Sequence, residues 1–108
     1  MEKKIKINEI EFNISFVNNE YCQNNMAKTV SMSGNIFVNT NLKEDIRANT
    51  LLHEIMHVIY HNYSIGTPEE EEKIVESFSN GLFAFLRQNQ NFVIEELLGN
   101  KKDKYIIS

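Results

Sequence analysis

Two histidines, His53 and His57, lie four residues apart with Glu54 directly after the first, in the pattern HExxH. On a helix, side chains at this spacing lie one turn apart on the same face. The two imidazoles can therefore each direct one nitrogen at a single divalent ion, about 2 Å from both. Glu54 lies about 100° around the helix from His53, where it can accept the proton of a water beside the ion. The pattern predicts a zinc site for hydrolysis, with His53 and His57 as ligands and Glu54 as the catalytic base.

The motif requires a helix, and the residues around it have a helical period. We predict a helix over residues 43–62, beginning at a capping box formed by Asn41 and Glu44. One stripe of this helix is apolar, which indicates the face that packs on the core. It comprises Ala48, Leu51, Leu52, Ile55, Val58 and Ile59. The histidines lie on the opposite face, which is free to face a cleft.

Catalytic zinc takes a third protein ligand and keeps one position open. The candidates are His61, Glu72 and Glu76. His61 lies eight residues after His53, about 12 Å away along a straight helix, so one ion cannot bridge the two. We therefore expect His61 to line the cleft or cap the end of the helix.

A second helix is predicted to carry the remaining candidates. Thr67 is typical of an N-cap, Pro68 of the first helical position and Glu70 of the third. We expect this helix to run to about Arg87, with four apolar residues inward: Ile74, Phe78, Leu82 and Phe85.

Glu72 and Glu76 share one face of that second helix, so spacing alone leaves both open as the third ligand. The acidic run 69–72 is typical of a solvated first helical turn, where negative charge favours the helix dipole. Glu76 stands apart from that run, among large apolar residues that would hold it rigidly. The residues therefore favour Glu76 without excluding Glu72.

The first forty residues alternate between apolar and polar types, which predicts strands with one buried face. A first hairpin turns at Asn8-Glu9, and a second turns at Ser33-Gly34 before Ile36-Phe37-Val38. We expect a small antiparallel sheet, with residues 18–25 as a loop. A short helix over 92–98 should end at Gly99. Strands followed by helices predict an α+β fold.

Length and composition exclude several classes of protein. The 108 residues favour a single domain over 1–108. A net charge of −4 argues against direct binding of nucleic acid, and no apolar run is long enough for a membrane span. The lone Cys22 cannot form an internal disulfide, which fits a reducing cytoplasm.

Two segments, TLLHEIMHVIYH and EKIVESFSNGLFAFL, resemble the ImmA/IrrE family of small zinc metallopeptidases in the short form found on phages and other mobile elements. In that family the second helix carries a glutamate followed by a small residue, Asn and an aromatic residue. In this frame, E-x-x-A-N-x-F-A, Glu76 and Asn80 match, whereas Ser79 and Leu82 depart from its Ala and Phe; Phe83 follows them. The resemblance implies a minimal zincin-like fold.

The resemblance also implies a function and a set of ligands. Glu76 would be the third ligand of Zn²⁺ beside His53 and His57, and the substrate would be one specific protein, such as a transcriptional repressor of a mobile element. The expected activity is therefore that of a metalloendopeptidase. The alternative is a regulatory module of a phage or mobile element that keeps the zinc site and cleaves nothing. Three tyrosines could stabilise an oxyanion: Tyr60, Tyr63 and Tyr105.

Overall fold

Strands occupy the first part of the chain and helices the rest, as the sequence predicts. The computed structural model describes residues 2–18, 26–30 and 34–100. The strands are β1 (Glu2–Ile7), β2 (Ile10–Val17), β3 (Ala27–Val30) and β4 (Asn35–Asn39). The helices are α1 (Glu44–Asn62), α2 (Pro68–Gln88) and α3 (Gln90–Phe92), which continues as a π-helical turn (Val93–Leu97). The α+β class is confirmed.

The first hairpin forms where it is predicted. Asn8 and Glu9 have φ of 51° and 69°, and Ile7 lies opposite Ile10 across the turn. Two central residues with positive φ match the right-handed twist of the flanking strands, so a two-residue turn is enough to join them.

The sheet is mixed, so the prediction of an antiparallel sheet is wrong at one pairing. The strand order is β1-β2-β4-β3, and β2 pairs with β4 in parallel. The connection after β2 skips one strand position, and β3 lies at the edge of the sheet. The second hairpin then returns β4 into the gap, antiparallel to β3 and therefore parallel to β2.

The core lies between one face of this sheet and α1. The sheet supplies five buried residues: Ile7, Phe12, Ile14, Ile36 and Val38. From α1, Val58 is buried with them, and Leu51, Ile55 and Ile59 pack around the cluster. These four belong to the predicted apolar stripe of the first helix, so its orientation is confirmed and the opposite face, with the histidines, is turned away from the sheet.

The two long helices begin differently. The prediction of a capping box at Asn41 is wrong. The helix α1 begins at Glu44 with Lys43 as its N-cap, so Asn41 lies outside the helix. There the Asn39 side chain accepts the backbone N–H of Asn41 at 2.8 Å. The predicted start of α2 is confirmed, with Thr67 as the N-cap and Pro68 in the first turn.

The predicted inward face of α2 is wrong. Val75 and Ser79 are the buried residues, whereas Phe78 is 65% exposed. Leu82 and Phe85 are exposed as well. The helix packs mainly on α1 rather than on the sheet. That neighbour presents its polar, histidine-bearing face, so α2 turns its smaller side chains toward it.

The remaining predictions concern the chain ends and loops. The short C-terminal helix is confirmed over residues 90–97, and Gly99 follows it with φ of 73°. No helix in the described ranges has both the length and the apolar character needed to cross a membrane. Cys22, Tyr105, the turn residue Ser33 and most of the predicted 18–25 loop lie outside the described residues.

Candidate metal centre

Three side chains converge between α1 and α2. The Nε2 atoms of His53 and His57 lie 3.1 Å apart. Glu72 of α2 closes the group, with Oε1 at 3.1 Å from Nε2 of His53 and Oε2 at 3.3 Å from Nε2 of His57. One ligand atom from each of the three lies within 4.8 Å of the others.

These separations fit a divalent ion of the zinc type. Ligand atoms about 2.0–2.1 Å from a tetrahedral ion lie about 3.3 Å from one another. The distances of 3.1 to 3.3 Å among the two imidazoles and the carboxylate are close to this value. The donor set, two imidazoles and a carboxylate, is also that of known catalytic zinc sites. The group can therefore hold a metal ion without rearrangement of the backbone.

Glu76 is not part of this group. It lies one helical turn beyond Glu72 on α2, with an exposed side chain, and lines the same cavity as His53 and Glu54. The carboxylate that the structure brings to the histidines is thus Glu72, the alternative that spacing left open. The assignment of Glu76 as a ligand stays a prediction.

The second ring nitrogen of each histidine also has a partner. Nδ1 of His57 lies 2.6 Å from Oε2 of Glu71. Nδ1 of His53 lies 3.5 Å from the hydroxyl of Ser79, which is fully buried and donates to the Glu76 carbonyl at 3.2 Å. Because both Nδ1 atoms are engaged, both Nε2 atoms are left to face each other.

The acidic run of α2 is divided among different contacts, so its prediction as a uniformly solvated turn is wrong. The Glu70 carboxylate accepts a hydrogen bond of 2.8 Å from the hydroxyl of Thr67, which completes the helix cap. Glu71 is only 16% exposed and faces α1, whereas the neighbouring Glu72 is 69% exposed at the mouth of the site. Successive side chains on a helix point about 100° apart, which explains the division.

Glu54 is held by the sheet. Its Oε1 accepts a hydrogen bond of 2.6 Å from the hydroxyl of Thr29 on β3. The other carboxylate oxygen remains for a further contact. Thr29 was not identified from the sequence, because it lies in a separate strand with no spacing that relates it to the motif.

A cavity of about 370 Å³ lies beside these residues. Its lining combines the end of β3 with polar side chains of both long helices: Met26, Ala27, Asn49, Thr50, His53, Glu54, Glu72, Glu76 and Asn80. Asn49, one turn before His53, donates to the Asn80 side chain at 3.1 Å. Asn49 belongs to no motif, so the sequence gives no sign that it lies at the site.

His61 lies at the end of α1, where its Nε2 is 2.9 Å from Oε2 of Glu71. It contacts the site through Glu71 and does not belong to the group of converging ligand atoms. This agrees with the expectation that it lies at the helix end.

Two of the tyrosines have other partners. The Tyr60 hydroxyl is turned away, because it donates to the Thr67 carbonyl at 2.6 Å. Burial and the nearby carboxylates of Glu70, Glu71 and Glu69 raise the pKa of Tyr60, which keeps this phenol protonated. The Tyr63 hydroxyl donates to Asn8 in the first hairpin turn at 3.1 Å.

The fold and the site together define an α+β domain with an HExxH helix facing a carboxylate-bearing helix. Comparison with protein families gives the same assignment. The model of the Peptidase_M78 family, described as the IrrE N-terminal-like domain, matches residues 3–96. The chain therefore belongs to this family, as its two motifs predict, and carries a domain of the metallopeptidase type. No curated protein and no solved structure matches it.

Proposed function

We propose that the protein is a zinc-dependent endopeptidase that cleaves a specific protein substrate. The observation that carries this proposal is the convergence of two imidazole Nε2 atoms and a carboxylate directly beside Glu54. His53 and His57 would hold the ion with a glutamate of α2 as the third ligand. The ion, when bound, would supply a Lewis acid that polarises the peptide carbonyl and acidifies a water.

Glu54 would handle the proton. Its Oε1 accepts a hydrogen bond from Thr29, which orients the carboxylate, and Glu54 lines the cavity beside the histidines. In the reaction Glu54 accepts a proton from the attacking water, whose oxygen bonds to the carbonyl carbon. The carbon–nitrogen bond then breaks, and Glu54 returns the proton to the leaving amine.

The substrate would bind as an extended strand along β3. Pairing with a substrate requires an edge strand, and β4 (Asn35–Asn39) does not provide one, because it lies inside the sheet between β2 and β3. The edge strand next to the cavity is β3, whose residue Ala27 lines the cavity and whose residue Thr29 contacts Glu54. Main-chain pairing at such an edge binds a peptide independently of its sequence, and side-chain pockets then select it.

The resemblance suggests that the substrate is a single regulatory protein, such as a transcriptional repressor of a phage or other mobile element. The same resemblance suggests a narrow specificity rather than general digestion. The lone cysteine supports a cytoplasmic location.

The Glu54→Gln variant tests catalysis. We expect it to bind one zinc ion, as the wild type does, because Glu54 is not among the converging ligands. Cleavage should fall by about 100-fold or more, since general base catalysis contributes about 10²–10⁴-fold. Zinc content is measured on the purified proteins. Cleavage is measured by counting new protein N-termini in a bacterial lysate treated with each of them.

The control is Glu44→Gln, which makes the same change in the first turn of α1, away from the cavity. It should cleave as the wild type does. Equal sets of new N-termini from the wild type and Glu54→Gln, or none from either, would contradict the proposed peptidase activity. The protein would then be a zinc-binding module that cleaves nothing.

A further inference from the structure

We propose that Glu71 is a positioning residue of the metal centre, which holds the His57 ring with Nε2 directed at the ion. This inference rests on the proposed zinc site. It assigns a role to a carboxylate that is neither a ligand nor the catalytic base.

The contact between Glu71 and His57 is short and sheltered. Nδ1 of His57 lies 2.6 Å from Oε2 of Glu71, and the two side chains are 19% and 16% exposed. A carboxylate without a proton can only accept, so Nδ1 is the nitrogen that carries hydrogen. In the neutral ring Nε2 then keeps its lone pair, which is the form that binds a metal.

Glu71 is itself held from the other side. Nε2 of His61 lies 2.9 Å from the same oxygen, so this carboxylate bridges the last two turns of α1. A carboxylate bonded to two side chains of one helix cannot rotate freely. The packing of α2 on α1 therefore orients the His57 ring.

Adjacent residues of α2 reach the two nitrogens of one imidazole. Glu71 contacts Nδ1 of His57, and Glu72 lies 3.3 Å from Nε2. The His53 ring has a weaker counterpart, since the hydroxyl of Ser79 is 3.5 Å from its Nδ1. We therefore expect the charged contact of Glu71 to matter more for metal affinity than the contact of Ser79.

The first measurement is zinc affinity of the full chain, by competition with a chromophoric chelator. Removing such a partner of a metal-bound histidine weakens binding by about 10–100-fold. Glu71→Gln should show a loss in this range. The matched control is Glu69→Gln, which removes the same charge from the same helical turn. The Glu69 side chain has no hydrogen bond or ion pair in the described part of the chain, so its variant should bind zinc as the wild type does.

The second measurement is long-range ¹⁵N–¹H NMR of the zinc-loaded wild type, which reports which nitrogen of each histidine carries hydrogen. We expect hydrogen on Nδ1 of His57. This measurement tests the proposed orientation of the ring directly, and it does not require a variant to fold.

The outcomes are distinguishable. Zinc on Nδ1 of His57, or equal affinities for Glu71→Gln, Glu69→Gln and the wild type, would overturn the role of Glu71 while leaving the zinc site intact. A wild type that binds no zinc would overturn the proposed function and this inference together.

Discussion

Each of the three polar side chains of the HExxH segment contacts a residue of another element. Glu54 is bonded to Thr29 of β3, His57 to Glu71 of α2, and His53 contacts Ser79. Ser79 stands where the family resemblance places alanine, and it adds a hydroxyl that alanine would not offer. At the scale of residues, these outer contacts favour one orientation of each ring, in which Nε2 points to the place that a bound ion would take.

The third ligand is a prediction at the same scale. Glu72 contacts both histidines in the structure, while the family pattern points to Glu76 on the same cavity. We expect Glu76→Ala to weaken zinc binding by about 100-fold or more, at the upper end of what a positioning residue costs. Glu72→Ala should have a smaller effect, because the resemblance places the third ligand at Glu76 and not at Glu72. Zinc competition measures both variants.

These two variants serve as controls for each other, since they remove the same charge one turn apart. If Glu72→Ala loses the affinity and Glu76→Ala keeps it, the ligand is the carboxylate that the structure groups with the histidines.

The turn between α1 and α2 shows how an element outside the site positions it. An ideal Cβ on Gly66 would lie 2.5 Å from the Tyr60 hydroxyl, which is held by the Thr67 carbonyl. Only glycine allows this approach, and the approach sets where α2 begins relative to α1.

We therefore expect Gly66→Ala to lower the free energy of unfolding by about 1–3 kcal/mol, the usual cost of overpacking. The control is Gly81→Ala on α2, where an added Cβ meets nothing within 4 Å. That variant should gain about 0.5–1 kcal/mol, because alanine loses less backbone entropy than glycine in a helix. Urea unfolding of the metal-free proteins measures both changes. Equal stabilities for the two variants would contradict this account of the turn.

The helix α2 also carries the largest disagreement with the predicted packing. The apolar residues with the most regular spacing on this helix are exposed: Phe78, Leu82 and Phe85. Periodicity identifies an apolar face but not the neighbour it meets. Here the neighbour is the metal-binding face of α1, so Val75 and Ser79 are buried instead.

At the scale of the whole molecule, a bound ion would connect α1, which packs on the sheet, with α2, which packs mainly on α1. A ligand that binds only the folded state stabilises it by mass action. With free zinc at 100 times its Kd, the gain is about 2.7 kcal/mol. For a domain of this size that corresponds to a rise in Tm of about 10–20 °C.

Thermal unfolding with zinc and with a chelator measures this gain. The variant His57→Ala should show little or no difference between the two conditions. A wild type whose Tm is the same with zinc and with chelator would contradict a metal held between the two helices.

The amino-acid sequence alone was enough to predict most elements and the family. The first hairpin, the helices around HExxH and after Thr67, the apolar stripe of α1 and the family were all predictable. They depend on local spacing, on turn and cap residues, and on the need for two imidazoles to lie on one helical face.

How those elements pack against one another could be learned only from the folded chain. The position of β4 inside the sheet, the outward face of α2 and the contacts of Thr29, Glu71 and Asn49 involve residues far apart in the chain. No spacing rule relates such residues, because their distances depend on which faces pack together once the whole chain is folded.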